Sequence, residues 1–280
     1  MPRSKIIAHC LVKNEERFIW YALKSALPYV DQVMVWDTGS TDHTVNLISR
    51  IKSKKIKFKE VGDVDVITLT NMRNLMIQQT PADFTWIMIL DGDEVWPDKS
   101  IDIAASYCRL HPETESVVVR THNLVGDIYH RLPESAGGYH LAGQTGHLNL
   151  RFMNIKKVTG LHVEKPHGQQ GYYDSDGVLI QDRNPQKIKF LDLYYHHASH
   201  LPRSVNKASD ALVPKRPPKQ RCELGESIPR AEIPAVFFEP RPDLVPDVTA
   251  AMSLSFFTKA LLLTPFRRMK RILIKARVGY

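Results

Sequence analysis

Five apolar residues in succession, Trp86 to Leu90, run straight into three carboxylates in the stretch WIMILDGDEVW. An apolar run this short and this uniform is the pattern of a strand covered on both faces, as in the middle of a parallel sheet. Such a strand needs a layer above it and a layer below it, which points to a sheet with helices on both sides. Closing it with Asp91, Asp93 and Glu94 puts charge at a strand's carboxyl end, where open α/β sheets gather their ligands.

The residues before this run alternate in the same sense. KIIAHCLV predicts a strand, and Glu15–Leu27 a helix with Phe18, Ile19, Ala22, Leu23 and Ala26 on one face. DQVMVW predicts a second strand, DTGSTD a turn, and His43–Ile51 a second helix capped by Ser40, Thr41 or Asp42. KIKF and DVITL read as strands, with Thr70 capping a helix that runs through Gln79, and FTWIMIL closes the series. Strands and helices in succession predict a doubly wound α/β fold with a mostly parallel central sheet.

After Ser116 the pattern changes to SVVVRT, HLNLRFMNI and IKFLDLYYHH, separated by loops rich in Gly, His and Asp. These read as an extension of the sheet, which gives a catalytic domain over 1–212 with halves 1–115 and 116–212. Eight of the eighteen prolines lie between Pro214 and Pro246, so 213–250 is expected to wrap without long helices.

The net charge of +8 sits in one place. Seven of the 38 basic residues lie in Met252–Tyr280, which has no acid, leaving 31 basic against 30 acidic residues elsewhere. A nucleic-acid reader spreads its cations over a binding face, so nucleic acid is not expected as a partner. Cys10, Cys108 and Cys222 are far apart and in no metal-ligand spacing, which fits a reducing compartment. Neither a signal peptide nor a membrane-spanning run is read from the sequence, and the expected location is cytoplasmic or peripheral on the inner face of the membrane.

Two carboxylates separated by one residue can face one hard cation, and their oxygens suit Mn²⁺ or Mg²⁺. Such an ion would neutralise a diphosphate as it leaves. The plain alternative is a solvated acidic turn. LDGDEV also matches locally the signature of haloacid dehalogenase-like phosphatases, with Asp91 as nucleophile, although those enzymes carry it on their first strand. A third reading is a non-catalytic scaffold that binds a nucleotide-sugar or sits on a membrane.

LVKNEERFI, YALKSALPYVDQVMVWDTGSTDHTVNLI, MRN at 72–74 and WIMILDGDEVW, in this order, resemble family 2 glycosyltransferases of the GT-A fold. The KNEE and DTGSTD versions are similar to a subgroup associated with cell-envelope and polysaccharide sugar transfer. The resemblance implies an inverting hexosyltransferase that moves a sugar from a nucleotide-sugar donor to a glycan or lipid-linked saccharide. It also implies that Asn14 and Glu15 lie near the nucleotide, that Asp91 contacts the ribose or the metal's waters, and that Asp93 binds the metal and is essential to catalysis. Asp37 closes the second strand, where its carboxylate can accept a base N–H, and Gly39 permits close backbone approach. Arg73 is a cation placed to meet the base or the diphosphate. Glu94 extends the site toward a metal water.

An inverting transferase needs a base for the acceptor hydroxyl. Glu164, two residues after His162 in GLHVEKPHG, is the candidate base, with Asp174 and Asp176 in reserve. His196 and His197 close an apolar strand and are the expected metal or diphosphate ligands, His196 first. Arg203 and Lys207 read as a solvated face. His130, His140, His147 and Arg151 surround AGGYHLAGQTG, a candidate lid.

In 251–280, Pro265 is expected to interrupt an apolar stretch. FRRMKRILIKARV then places Phe266, Met269, Ile272, Leu273 and Ala276 at helical spacing among cations. A helix of this kind lies in a membrane interface, so an anionic membrane surface is the expected partner of 252–278; the alternative is a helix docked on the domain.

Overall fold

A computed structural model describes residues 3–213, 216 and 221–273. The end of the basic tail, with Lys275, Ala276 and Arg277, and most of 214–220 lie outside the described residues.

The first strand, β1 (Ile6–Val12), is buried along its whole length. Its side chains alternate between two cores, Ile6, Ala8, Cys10 and Val12 on one face of the sheet and Ile7 and Leu11 on the other. The units that follow are α1 (Ile19–Ala26), β2 (Gln32–Asp37), α2 (Thr44–Arg50), β3 (Ile56–Glu60), α3 (Thr68–Gln78) and β4 (Trp86–Ile89). The apolar run of β4 divides in the same way, with Trp86, Met88 and Leu90 in the first core and Ile87 and Ile89 in the second. β3, β2, β1 and β4 lie side by side and parallel, so their carboxyl ends share one edge.

Next come β5 (Glu94–Val95), α4 (Asp98–Leu110), β6 (Ser116–Val125) and β7 (Asp127–Arg131). A hairpin of β8 (Tyr139–Leu141) and β9 (Gln144–Gly146) precedes β10 (Leu148–Asn154), and a second, β11 (His162–Glu164) with β12 (Gly171–Tyr173), precedes β13 (Ile188–His197). α5 (Lys207–Ala211), β14 (Glu226–Ser227) and α6 (Leu254–Leu273) complete the chain. β10 joins the halves, running antiparallel between β4 and β6, and β13 runs parallel to β6 and antiparallel to β5. The fold is mixed α/β around one large sheet.

Four local expectations are corrected. DVITL is not a strand: Asp65 Oδ1 accepts from Ile67 N at 3.0 Å and Thr68 N at 2.6 Å, which starts α3 early. Thr70 therefore caps nothing and instead donates to Lys165 O at 2.6 Å. The helix expected from Glu15 begins at Ile19, after a turn in which Phe18 N and Ile19 N donate to Glu15 O. Pro265 does not interrupt α6, which runs through it with the ring exposed. α4, unassigned in the sequence, buries Ile101, Ala104, Ala105 and Cys108 at helical spacing.

Candidate active site

The acidic loop is fixed from both ends. β4 delivers Asp91, and just past β13 the Ala198 N–H donates to Asp93 O at 2.9 Å while His197 faces Glu94 across the β5–β13 pair. Gly92 is demanded by a close approach: a Cβ there would stand 2.8 Å from Glu15 Cγ and 2.9 Å from Val12 Cγ1. The DGD and NEE segments are thus packed directly on each other.

Every carboxylate of the cluster meets a cation. Arg203 Nη1 donates to Asp93 Oδ2 at 2.7 Å and to Glu15 Oε1 at 3.2 Å, and His197 Nε2 lies 3.3 Å from Asp93 Oδ2. Arg216 bonds Glu15 and reaches Asp210 at 3.1 Å. Arg73 donates to Asp91 at 3.2 Å, and Arg151, held by the Tyr195 hydroxyl, bonds Glu94. Burial opposes charge on Glu15, Asp91, Asp93 and Glu94. At Asp93 the Arg203 guanidinium and the His197 imidazole overcome it and hold the carboxyl well below the usual range; Arg73 and Arg151 lower Asp91. At Glu15 burial wins over Arg203 and Arg216 and pushes the carboxyl up to about 8, and at Glu94 it wins over Arg151 and pushes it up to about 7. Burial alone would lower His197, but Asp93 raises it above the ordinary imidazole value.

Two cavities meet at this cluster. The first, of about 160 Å³, opens at the ends of β1 and β2 and is lined by Lys13, Glu15, Thr38, Asp93, Arg203 and Arg216. The second, of about 220 Å³, is lined by Asn149, Arg151, Gln170, Tyr172 and Gln181. Arg73, Asp91, His167 and His197 line both. A third, of about 350 Å³, shares Asn149 and His197 with the second and runs under Gly137, Gly138 and Tyr139 of the Gly-rich loop.

Of the residues expected from the sequence, Glu15, Arg73, Asp91, Asp93 and His197 come together here. Others do not. Asn14 is fully buried in the left-handed region at φ +54°, with Oδ1 accepting from Thr41 N at 2.7 Å and Nδ2 donating to Ser209 O at 2.8 Å; it clips loops together rather than lining a cavity. Asp37 spends its Oδ1 on Gly39 N and Ser40 N at 3.0 and 2.9 Å, bonds Ser40 Oγ through Oδ2, and is only 2% exposed. Glu94 is committed to Arg151. Glu164 lines none of these three cavities and pairs with His162 Nε2 at 2.9 Å in the open. The reserve acid Asp174 bonds Arg183 and closes its own turn by accepting from Asp176 N and Val178 N. His196 points away from the cluster, its Nε2 bonded to Glu232 O at 3.0 Å, and burial lowers it to about 3. The histidine order expected from the sequence is therefore reversed.

Arg203, read as solvated, and Arg216, unremarked in the sequence, turn out to be central; each comes from a distant loop with no local pattern to announce it. The metal set expected from the sequence, Asp91, Asp93, His196 and His197, is not assembled. His196 is turned away, Asp91 and Asp93 face guanidiniums, and among the described residues no three His, Cys, Asp or Glu side chains form a group able to hold a metal ion. As placed, these donors do not fit a divalent ion.

The model of the family described as "Glycosyl transferase family 2" matches residues 10–161, more than half of the chain. The chain belongs to glycosyl transferase family 2. The matched span contains the acidic loop, Arg73, the end of β1 and the strands from β2 to β10. Comparison with curated proteins finds no match. Among solved structures, S. aureus TarS 1–349 is 15% identical with a TM-score of 0.45, over 70% of this chain and 60% of that one. Glucosyl-3-phosphoglycerate synthase from Mycobacterium tuberculosis, in complex with Mn²⁺, UDP and glucosyl-3-phosphoglycerate, is 14% identical with a TM-score of 0.41, over 70% and 72%. A mannosyltransferase from Pyrobaculum calidifontis, in complex with GDP-Man and Mn²⁺, is 19% identical with a TM-score of 0.37, over 55% and 45%. The chain spans 60% and 36% of the lengths of the two TarS chains it matches. This member of the family has a mixed α/β architecture built around one large sheet.

Proposed function

We propose that this glycosyltransferase seats a nucleotide-sugar in the first cavity and an acceptor hydroxyl in the second, and transfers the sugar with inversion. The observation that carries this reading is the pair of cavities meeting across Arg73, Asp91, His167 and His197. Attack from one side and departure on the other is the geometry an inverting displacement needs. The acceptor oxygen bonds the anomeric carbon as the bond from that carbon to the diphosphate oxygen breaks, and the hydroxyl proton passes to a base.

Among the four shared residues the base is chosen by elimination. Arg73 carries no basic site. Asp91 is held low by Arg73 and Arg151, and Asp93 holds His197 above the ordinary imidazole value. His167 remains, and we assign it the proton. The departing diphosphate gathers charge in a pocket that already holds Lys13, Arg73, Arg203 and Arg216, fixed donors of the kind that stabilise developing anions. The acceptor class, a glycan or a lipid-linked saccharide, rests on the family resemblance. Nothing in the cluster favours the phosphatase alternative, since Asp91 is tied to Arg73 and the motif stands on the fourth strand.

The test is a thermal-shift screen of UDP-, GDP-, CMP- and dTDP-sugars, each with Mn²⁺ and with chelator, followed by rate measurements on His167→Gln. One donor class is expected to raise the melting temperature, since a ligand that binds only the folded state must stabilise it. The variant is expected still to bind that donor but to turn over about a hundredfold more slowly. No shift with any donor in either arm overturns the donor site, and turnover in the variant within a few-fold of wild type overturns the base.

A further inference from the structure

We propose that α6 is a membrane-docking helix, held on the domain by one face and presenting the opposite face to an anionic lipid leaflet. The held face is specific. Ala260 and Thr264 are buried, Thr264 Oγ1 accepts from Leu224 N at 2.8 Å, and Arg271 bonds both oxygens of the buried Glu223. At the helix start Met252 N donates to Asp127 Oδ2 at 2.9 Å. Phe256 packs over Gly126, where a Cβ would stand 2.9 Å from the ring.

The other face is apolar and uncovered. Leu254, Leu261, Leu262, Phe266, Met269 and Leu273 are 53–77% exposed. At about 100° per residue they fall on one side of the helix, opposite Ala260 and Thr264. Seven of the sixteen large apolar side chains exposed among the described residues lie on this one helix, which is too dense to be incidental exposure. Lys259 and Lys270 flank the stripe on one side and Arg268 on the other, all exposed, and no acid follows Asp247. Cations bordering an apolar face suit an interfacial helix, the rings and aliphatic chains below the headgroups and the ammonium and guanidinium groups among them.

Charge selects the occupant. A second copy of α6 would bring its own Lys259, Arg268 and Lys270 to the same border with no acid on either helix to receive them. Anionic headgroups supply the missing counter-charge, at about 1 kcal/mol per basic residue. No described helix is long and apolar enough to cross a membrane, so the contact lies in the surface plane. The surface would also lie near the site: Arg221, two residues from the Glu223 that anchors α6, lines the third cavity together with His197.

The experiment is co-sedimentation of the full chain with vesicles of phosphatidylcholine alone and of phosphatidylcholine mixed with phosphatidylglycerol, at low and high salt. The wild-type chain is expected to bind the mixed vesicles, to bind the neutral ones at least about tenfold more weakly, and to lose affinity as salt rises. The variant Leu262→Ser/Phe266→Ser is expected to lose about tenfold or more in binding to the mixed vesicles with its melting temperature unchanged, because both side chains are exposed in the folded protein. Equal binding by wild type and variant, no binding to mixed vesicles, or a concentration-dependent dimer that the variant abolishes would each overturn the proposal. These readouts do not involve sugar transfer, so they stand or fall apart from the catalytic reading.

Discussion

Asp93 answers to two cations at once, Arg203 at 2.7 Å and His197 at 3.3 Å, while only 1% of its surface reaches solvent. Asp93→Asn removes the carboxylate that both share and leaves Arg203 only its longer contact to Glu15 at 3.2 Å. Turnover is expected to fall at least about a hundredfold, and urea unfolding to show a loss of about 3 kcal/mol, the cost of breaking a buried pair from one side. Glu164→Gln is the contrast: in the open and outside the cavities, it should leave turnover within a few-fold of wild type. A large loss in that variant would restore Glu164 as base. The two aspartates were legible because an apolar strand points at them. Their partners were not, since Arg151, Arg203 and Arg216 arrive from segments with no periodic relation to the motif. Nor was the choice between His196 and His197, because a register shift between Phe190 and Tyr194 decides which imidazole faces the cluster.

At the scale of elements, the alternation of strands and helices through β4 was readable because β1, β2 and β4 are buried on both faces and each unit keeps its own period. Boundaries failed where a side chain captured backbone donors, as Asp65 does at the start of α3. The join between elements is tightest at Gly92. Gly92→Ala must push against Val12, a core residue of β1, and Glu15, which is held by Arg203 and Arg216. A loss of roughly 1–3 kcal/mol in urea unfolding is expected, with donor-induced thermal stabilisation reduced. An unchanged unfolding midpoint would show that the two loops are not locked together.

For the whole molecule, buried ionisable groups set opposing slopes of stability against pH. His9, His122, His147 and His196 are lowered by burial, so the stability they lend is present above the ordinary imidazole value and is lost as pH falls below it. Glu15, Glu94 and His197 are raised, so their contribution is complete in acid and is lost as pH climbs through about 7 for Glu94 and about 8 for Glu15. The melting temperature is therefore expected to pass through a maximum near pH ~6.5 and to decline on both sides. Glu94→Gln should flatten the alkaline arm. A melting temperature that climbs steadily to pH ~9 would contradict the burial of the acids.

Because β13 is stitched to the acidic loop at Ala198 and at the Glu94–His197 pair, the parity of one strand sets the sign of the charge in the pocket. Inserting one residue into β13 between its bulge and His196 would carry His196 into the place of His197. Homologues should then vary freely in loop length around this strand while sparing the four residues before Ala198.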